Sequence, residues 1–301
     1  MTRDAIDLYL DDFGRSASDS SVEKYRYVLD KFADHVGSEV DLREVTPMHC
    51  REFLARWSKS AKATQALHIT ILNRFFEFWF DEEEIQANPM ARIKRPKLPP
   101  PEELDVTTIA TSDVDRLYAA AREWDEILCL ALLSYLGPRR TAAANLRLRD
   151  IDFERGTVRF REKGGKVITK PAPDELLAIL READDAGVWA PSRFPDAYVI
   201  PNRRAPRNEQ RSSKIIYAIV KRIGERAGVD VHPHALRAAF AVHYLDQHDG
   251  DTYGLQKLMG HTRPETTQVY LRRHDDFKAM EKVRGLRWGG GALRELAGAA
   301  A

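Results

Sequence analysis

A basic, proline-rich stretch is the feature that most limits how this chain can fold. Lys94–Pro101 reads KRPKLPPP and carries four prolines and three basic residues. Proline is unfavourable inside helices and central strands, so this stretch favours an extended and fairly stiff connection. The chain has 301 residues, which is enough for two domains that each bury a core. We therefore predict a first domain over 1–97, a linker over 98–106, and a second domain that begins at 107.

The first domain is predicted to be entirely helical, because its apolar residues recur at helical spacing. Pro47 would fall in the first turn of the third helix, and Ser20 or Ser21 would cap the second. The phenylalanines between positions 75 and 80 are interpreted as core residues. The predicted helices are Thr2–Phe13, Ser20–Val36, Thr46–Trp57 and Ala61–Phe80, with a short fifth helix ended by Asn88-Pro89.

Basic residues outnumber acidic residues in the second half of this domain. Two interpretations remain open, since such residues form either a solvated helix face or a surface that follows DNA phosphates. The basic residues concerned are Arg51, Arg56, Lys59, Lys62 and Arg74, and Lys94 and Arg95 continue the series towards the linker.

The second domain is predicted to combine helices with a small antiparallel sheet. Gly137 should end the second of two helices that follow Thr111, and Pro138 should start the next one, with Arg139 in its first turn. The predicted strands are Ile151–Phe153, Thr157–Arg161 and Val167–Lys170, with turns at Gly156 and at Gly164-Gly165. The further predicted helices are Asp174–Ala183, Ser212–Ala227, one that starts near His234, Tyr253–Met259, and one after Tyr270. The predicted fold class is therefore mainly α with a small antiparallel sheet in the second domain.

Composition narrows the function classes. No apolar run approaches the ~18 residues of a membrane span, and the N-terminus lacks a signal-peptide core, so we expect a cytoplasmic protein without a membrane partner. Cys50 and Cys129 match no metal-ligand spacing and are expected to be buried thiols. The net charge is only +1, but eight basic and two acidic residues lie between Arg203 and Arg226. Such segregated charge is compatible with DNA binding.

The stretch from Val231 to Tyr270 carries the most specific chemistry. His234 and Arg237 lie three residues apart at the start of an apolar helical run, so both side chains leave one helix face. His261 directly follows Gly260, a residue type that commonly ends helices, and Tyr270 comes nine residues later. Arginine suits phosphate oxygens, histidine can move a proton near neutral pH, and tyrosine can act as a covalent nucleophile. Each element alone is common as a surface pair, a helix end or a packing residue, so the interpretation depends on the combination.

The joint spacing H-x-L-R, L-M-G-H and T-T-x-x-Y resembles the C-terminal signature of the tyrosine recombinases, the phage-integrase and Xer-type family. The run from Leu136 to Lys166 resembles the family's first arginine motif followed by its lysine hairpin. The N-terminal helices resemble its SAM-like core-binding domain. The sequence departs from the family at Ala142, where an acidic residue often follows the first arginine by three positions, and at Ala238, where histidine is frequent.

The resemblance implies a site-specific recombinase that cleaves and rejoins DNA through a 3′-phosphotyrosine intermediate and a Holliday junction. Tyr270 would be the nucleophile, Arg139, Arg237 and His261 would neutralise phosphate charge, and His234 would assist proton transfer. Lys163 would protonate the leaving oxygen, with Lys166 as the alternative. No metal and no cofactor is implied. A type IB topoisomerase-like enzyme and a catalytically silent DNA-binding relative remain as alternatives.

The resemblance also implies how the protein meets DNA. The helical domain and a catalytic domain over 107–288 would clamp the duplex, and a tetramer would assemble on paired half-sites, with a paralogous recombinase or an accessory DNA-binding protein as further partners. A flexible tail over 289–301 would dock on a neighbouring subunit. The predicted DNA-contacting residues are Arg51, Arg56, Lys59, Lys62, Arg74, Lys94, Arg95, Arg140, Arg203, Arg204, Arg207, Arg211 and Lys214.

Overall fold

A computed structural model describes residues 2–99, 107–162, 165–189, 196–201 and 211–284, with side chains placed through Arg272 and at His274 and Asp275. The chain divides into two compact units, Met1–Pro99 and Pro100–Ala301, so the first unit ends inside the predicted linker. Several predicted features lie outside the described residues: Lys163, Arg203, Arg204, Arg207 and the tail over 289–301.

The first unit is a bundle of four helices around an apolar core. The helices are α1 (Thr2–Gly14), α2 (Asp19–Val36), α3 (Pro47–Ala55) and α4 (Lys62–Asp81). The buried aromatic side chains Phe32, Phe53, Phe75 and Phe76 meet at the centre of this core. Thr46 caps α3 by accepting from the backbone N–H of His49, whose ring accepts from the N–H of Thr46 in return. The predicted start of this helix is thereby confirmed.

Some details of the first unit differ from the prediction. Ser18 precedes α2, so the proposed caps at Ser20 and Ser21 are wrong. α3 ends at Ala55 and not at Trp57. Residues 82–99 form turns, bends and extended chain, so the short helix before Asn88-Pro89 is absent from this described segment. Phe80 lies in the last turn of α4 and is 46% exposed, so the interpretation of residues 75–80 as core residues holds only in part.

The second unit surrounds one strongly apolar helix. The elements before the sheet are α5 (Thr111–Ala120), α6 (Trp124–Leu136) and α7 (Arg140–Ala144), and those after it are α8 (Asp174–Asp185), α9 (Lys214–Ala227), α10 (Pro233–Gln247), α11 (Thr252–Met259) and α12 (Glu265–Arg284). α6 packs against α8, α9 and α10, which explains why apolar residues surround it on most sides. α12 starts before Tyr270 and contains it, whereas the prediction placed a helix only after this residue.

A buried carboxylate joins α6 to α9. Glu126 is 1% exposed and accepts from Arg222 at 2.6 Å and, at closer range, from Arg226. Asp125 pairs with the other end of the Arg222 guanidinium at 2.9 Å. Part of the basic face that the sequence suggested for DNA is therefore used inside the domain.

The sheet has three antiparallel strands, β1 (Ile151–Asp152), β2 (Thr157–Arg161) and β3 (Val167–Pro171). Val158 pairs with Lys170 and Phe160 pairs with Ile168, so these four side chains share the buried face. This register brings the side chain of a lysine into the core.

Gly260 allows the end of α11 to sit directly on the sheet. Its φ of +63° lies in the left-handed region, and a Cβ atom here would lie 2.0 Å from Cδ1 of Ile168. The left-handed backbone therefore favours glycine, and any larger residue would also have to displace the Ile168 methyl group. The close approach places His261, the next residue, beside the sheet.

Candidate active site

One pocket of the second unit brings together the predicted catalytic side chains. Five of the six predicted residues line it, and Lys163 lies outside the described residues. The lining residues are Pro138, Arg139, Arg140, Tyr217, His232, Pro233, His234, Arg237, His261, Thr266 and Tyr270. The loop after α6, the start of α10, the end of α11 and the first half of α12 each contribute to the pocket.

Arg139 reaches this pocket from the residue that precedes α7. Its backbone is extended, and the helix begins at Arg140, so the predicted position inside the first helical turn is wrong. Its Nη1 donates to Oε2 of Glu162 at 2.6 Å, and the arginine side chain is 40% exposed whereas the glutamate side chain is 3% exposed. The guanidinium therefore has one end fixed by a buried carboxylate and surface left for an anion.

Arg237 is the buried anchor of the pocket. Its guanidinium donates to the carbonyl of Gly137 and, at 2.9 Å, to the carbonyl of Met259. It thereby joins the ends of α6 and α11. Nη2 of Arg237 also lies 3.3 Å from Nε2 of His261. Because arginine only donates, this contact makes Nε2 of His261 an acceptor.

The second contact of His261 then defines its tautomer. Nδ1 lies 2.9 Å from Oγ1 of Thr267 and carries the ring proton when Nε2 accepts. Burial, followed by the charges of Arg237 and Arg139, lowers the pKa of His261 to about 4. The ring is therefore neutral at physiological pH, and an anion bound beside it would favour its protonated form.

Tyr270 is buried between His261 and Arg237. It is 4% exposed, and its ring stacks on that of His261 at a centroid distance of 6.2 Å. Burial raises the pKa of the phenol, and the charge and hydrogen bond of Arg237 oppose this shift. The phenol is therefore protonated at neutral pH and needs a proton acceptor to become a nucleophile.

His234 lines the same pocket as the phenol. Partial burial of its ring, followed by the charges of Arg237 and His232, lowers the pKa of His234. The ring is consequently neutral near pH 7 and able to accept a proton. The neighbouring His232 has a structural task, because its ring accepts from the N–H of Ala235 at the start of α10.

Lys170 lies beneath the pocket and was not predicted to belong to the site. It is 1% exposed, donates to the carbonyl of Leu136 at 2.5 Å, and lies over the rings of Phe160 and Phe240. Burial, followed by repulsion from Arg237, lowers the pKa of its amine to about 7. Lys170 and Arg237 thus hold two successive carbonyls at the end of α6, where cations are favourable.

The lowered pKa of Lys170 should make stability depend on pH. The unfolded chain binds this proton more tightly, so the wild type gains stability as pH rises from about 7 towards the usual lysine pKa of 10.5. From pH 7 to 9 we expect the unfolding free energy of the wild type to rise by about 2 kcal/mol relative to that of Lys170→Met.

Denaturant unfolding of both proteins at pH 7, 8 and 9 measures this difference, in which the titration of cysteines cancels. Lys166→Met removes an exposed lysine of the same hairpin and should give a curve parallel to that of the wild type. Parallel curves for Lys170→Met and the wild type would show that Lys170 keeps an ordinary pKa in the folded protein.

The predicted DNA-contacting residues that the structure describes are exposed, with one exception. The exposed residues are Arg51, Arg56, Lys59, Lys62, Arg74, Lys94, Arg95, Arg140 and Lys214. Arg211 is the exception, since it is 6% exposed, stacks on Tyr198 and donates to the carbonyl of Ile200 at 2.6 Å. Its guanidinium is engaged within the domain and is not available to a DNA phosphate.

Sequence reasoning missed Glu162, Lys170 and Thr267. The strand pattern contained a signal for Lys170, because alternation with Ile168 places it on the buried face of β3. The T-T-x-x-Y spacing contained Thr267 but gave it no role. Glu162 had no local signal, since its partner Arg139 is 23 residues away in sequence.

Among the described residues, no helix combines the length and apolarity that a bilayer span requires. The same residues contain no group of three or more His, Cys, Asp or Glu side chains that could hold a metal ion. Cys50 and Cys129 are both free and buried, as the sequence predicted.

Two family models cover most of the chain. The model of the phage integrase family matches residues 107–276, and that of the phage integrase N-terminal SAM-like domain matches residues 6–83. Tyrosine recombinase XerA of Thermococcus onnurineus is 29% identical over 92% of this chain and 93% of its own length. Tyrosine recombinase XerC of Oceanobacillus iheyensis is 31% identical over 88% of this chain and 91% of its own length.

Solved structures share the fold. A lambda integrase dimer bound to a COC′ core site gives a TM-score of 0.71 at 18% identity and covers 95% of this chain and 79% of the integrase chain. A lambda integrase tetramer bound to a Holliday junction gives a TM-score of 0.69 at 18% identity and covers 87% of this chain and 77% of the integrase chain. With both domain models matched, and with relatives aligned over nearly their full length, the chain belongs to the phage integrase family of tyrosine recombinases, enzymes that break and rejoin DNA strands.

Proposed function

We propose that this protein is a site-specific recombinase in which Tyr270 attacks the scissile phosphate. The O–P bond to tyrosine forms as the bond to the 5′ oxygen breaks, which leaves a 3′-phosphotyrosine and a free 5′-hydroxyl. The covalent link conserves the phosphodiester bond energy, so the reverse attack by a 5′-hydroxyl rejoins the strand. The observation that carries this proposal is the grouping of Arg139, Arg237, His261 and Tyr270 around one pocket.

The two arginines have separate tasks in this reaction. Arg237 is buried and held by two carbonyls, so its guanidinium offers a fixed positive charge beside the phenol. Arg139 is half exposed and can meet the phosphate from the open side of the pocket. Both charges would stabilise the negative charge that develops on the non-bridging oxygens. His261 would join them once the bound phosphate favours its protonated form.

Two proton transfers complete the chemistry. His234, neutral near pH 7, accepts the proton of the phenol as the tyrosine attacks. Lys163 donates a proton to the departing 5′ oxygen, with Lys166 as the alternative. The assignment of Lys163 follows the family's lysine hairpin.

The DNA surface extends beyond the pocket. We propose that the exposed basic residues of the helical unit and Arg140 and Lys214 of the catalytic unit contact phosphates from two sides, so that the two units clamp the duplex. The predicted Arg203, Arg204 and Arg207 belong to the same proposal. Lambda integrase has been solved as a tetramer on a Holliday junction, which supports a tetramer of this chain on paired half-sites. A cytoplasmic location and partnership with a second recombinase or an accessory protein belong to this proposal as well.

Sequencing of DNA that becomes covalently trapped on the protein tests the proposal. Cells that express the protein would be lysed in denaturant, and DNA that remains attached after this treatment would be recovered and sequenced. We expect one short site with two inverted half-sites. Adducts spread over DNA without a preferred sequence would favour the topoisomerase-like alternative, and the absence of any adduct would favour a silent DNA-binding relative.

A further inference from the structure

The buried Glu162 reaches the active site from an unexpected position in the chain. It follows β2 and holds Arg139 through the 2.6 Å contact between Oε2 and Nη1. Position 142, three residues after Arg139, holds a buried alanine that cannot supply a carboxylate. The negative partner of Arg139 therefore comes from the hairpin of the sheet and not from the arginine's own helix.

The backbone fixes this carboxylate firmly. The N–H of Glu162 donates to the carbonyl of Lys166 at 2.7 Å, and its own carbonyl accepts from the N–H of Gly165 at 3.2 Å. The side chain is 3% exposed, so its charge is poorly screened by water. In the described part of the chain, Oε1 has no hydrogen-bond partner, which leaves the carboxylate directed at Arg139 through Oε2.

Glu162 also offsets repulsion among the positive charges around the pocket. Arg139, Arg237 and Lys170 lie close enough to repel one another, and Glu162 interacts favourably with both Arg237 and Lys170. A site that gathers cations for a phosphate is unfavourable when empty unless an anion offsets the repulsion. Glu162 offsets it from beneath the pocket, where it does not compete with DNA for the exposed side of Arg139.

We propose that Glu162 is a positioning residue that holds the Arg139 guanidinium in the orientation that meets the scissile phosphate. The inference rests on the proposed role of Arg139. A carboxylate that fixes one end of a catalytic arginine reduces the reorganisation needed when the transition state forms. Loss of a residue that supports a metal ligand typically costs about 10- to 100-fold in activity, and we expect a loss of the same order for Glu162→Ala. Glu162→Gln keeps the shape but not the charge, and its loss should be smaller.

The test compares cleavage rates on two synthetic half-site duplexes made from the trapped sequence. One carries a normal scissile phosphodiester, and the other carries a methylphosphonate, in which a neutral methyl group replaces one charged oxygen. If Glu162 acts through Arg139, the rate defects of Glu162→Ala and Arg139→Ala both shrink on the methylphosphonate. A residue that only stabilises the fold would produce the same defect on both substrates. Glu154→Gln, in the exposed turn between β1 and β2, is the matched control and should cleave normally on both.

A double substitution provides the second arm. On the phosphodiester, Arg139→Ala combined with Glu162→Ala should be no slower than Arg139→Ala alone, because the supported group and its repulsion of Arg237 and Lys170 are already gone. The proposal would be overturned if the rate defects of the two single variants multiplied in the double variant. An unchanged rate in Glu162→Ala, or equal defects of this variant on both substrates, would also overturn it. Should Glu162→Ala fail to fold, Glu162→Gln serves in the same comparisons. A normal rate in Arg139→Ala alone would identify the role of Arg139 itself as the error, and the inference would fall with it.

Discussion

Tyr270→Phe should abolish the covalent protein–DNA adduct and leave DNA binding intact. The substitution removes only the phenolic oxygen, and the ring that stacks on His261 remains. The pocket should keep its shape, because the phenylalanine ring fills the same buried volume. Without the oxygen no phosphotyrosine bond can form, so we expect the loss of adduct to be complete within the limits of detection.

In a suicide half-site, cleavage releases a short strand that carries the free 5′-hydroxyl. Because this strand diffuses away, the cut cannot be resealed and the adduct accumulates. The adduct is detected on a denaturing gel, and binding is followed on a native gel with the same duplex. Tyr217→Phe is the matched control, since Tyr217 lines the same pocket and carries the other phenol there. An adduct that persists in Tyr270→Phe and disappears in Tyr217→Phe would reverse the assignment of the nucleophile.

The local features of the fold could be predicted because they depend on neighbouring residues. Helical periodicity predicted the main helices of the first unit. The turn at Gly156 and the alternating residues after it predicted β2 with its correct bounds, Thr157–Arg161. The end of α11 at Gly260, which has a left-handed backbone, could be predicted from the same kind of local signal. The catalytic motifs of the second unit could be recognised for a related reason, since their spacing is fixed by one helix or one helix end.

Contacts between distant segments could not be predicted in this way. Periodicity shows which face of an element is buried but not which side chain it meets. The contact of Lys170 with Leu136 spans 34 residues, and that of Arg139 with Glu162 spans 23. Arg211 looked like one more basic residue in a basic segment, yet it packs on Tyr198 inside the domain. Charge counts along the chain therefore overestimate the surface available to DNA.

Lys163→Ala is expected to have the second-largest effect, since it removes the proposed general acid. Cleavage of a normal phosphodiester should slow by about two to four decades, the usual range for such a loss. The residue that precedes the lysine is tied to the hairpin, because Glu162 pairs with Lys166 and Gly165 through the backbone. Lys163 therefore directly follows, in sequence, the residue that holds Arg139.

A substrate with sulfur in place of the bridging 5′ oxygen distinguishes a general acid from a residue that merely binds. A thiolate leaves without a proton, so this substrate should restore cleavage by Lys163→Ala. Lys166→Ala is the control, with a normal rate on the oxygen substrate. If instead Lys166→Ala is slow on the oxygen substrate and is rescued by sulfur, while Lys163→Ala is not rescued, the acid is Lys166.

The sulfur substrate and the methylphosphonate separate the two tasks that meet in this hairpin. Sulfur removes the need for a proton but leaves the charge on the non-bridging oxygens, so it should rescue Lys163→Ala and not Glu162→Ala. Methylphosphonate removes part of that charge but leaves a poor leaving group, so it should relieve the defect of Glu162→Ala and not that of Lys163→Ala. Opposite rescue of two adjacent residues would show that one hairpin supplies the proton and also orients Arg139. The same rescue pattern for both variants would show instead that each substitution disturbs the hairpin as a whole.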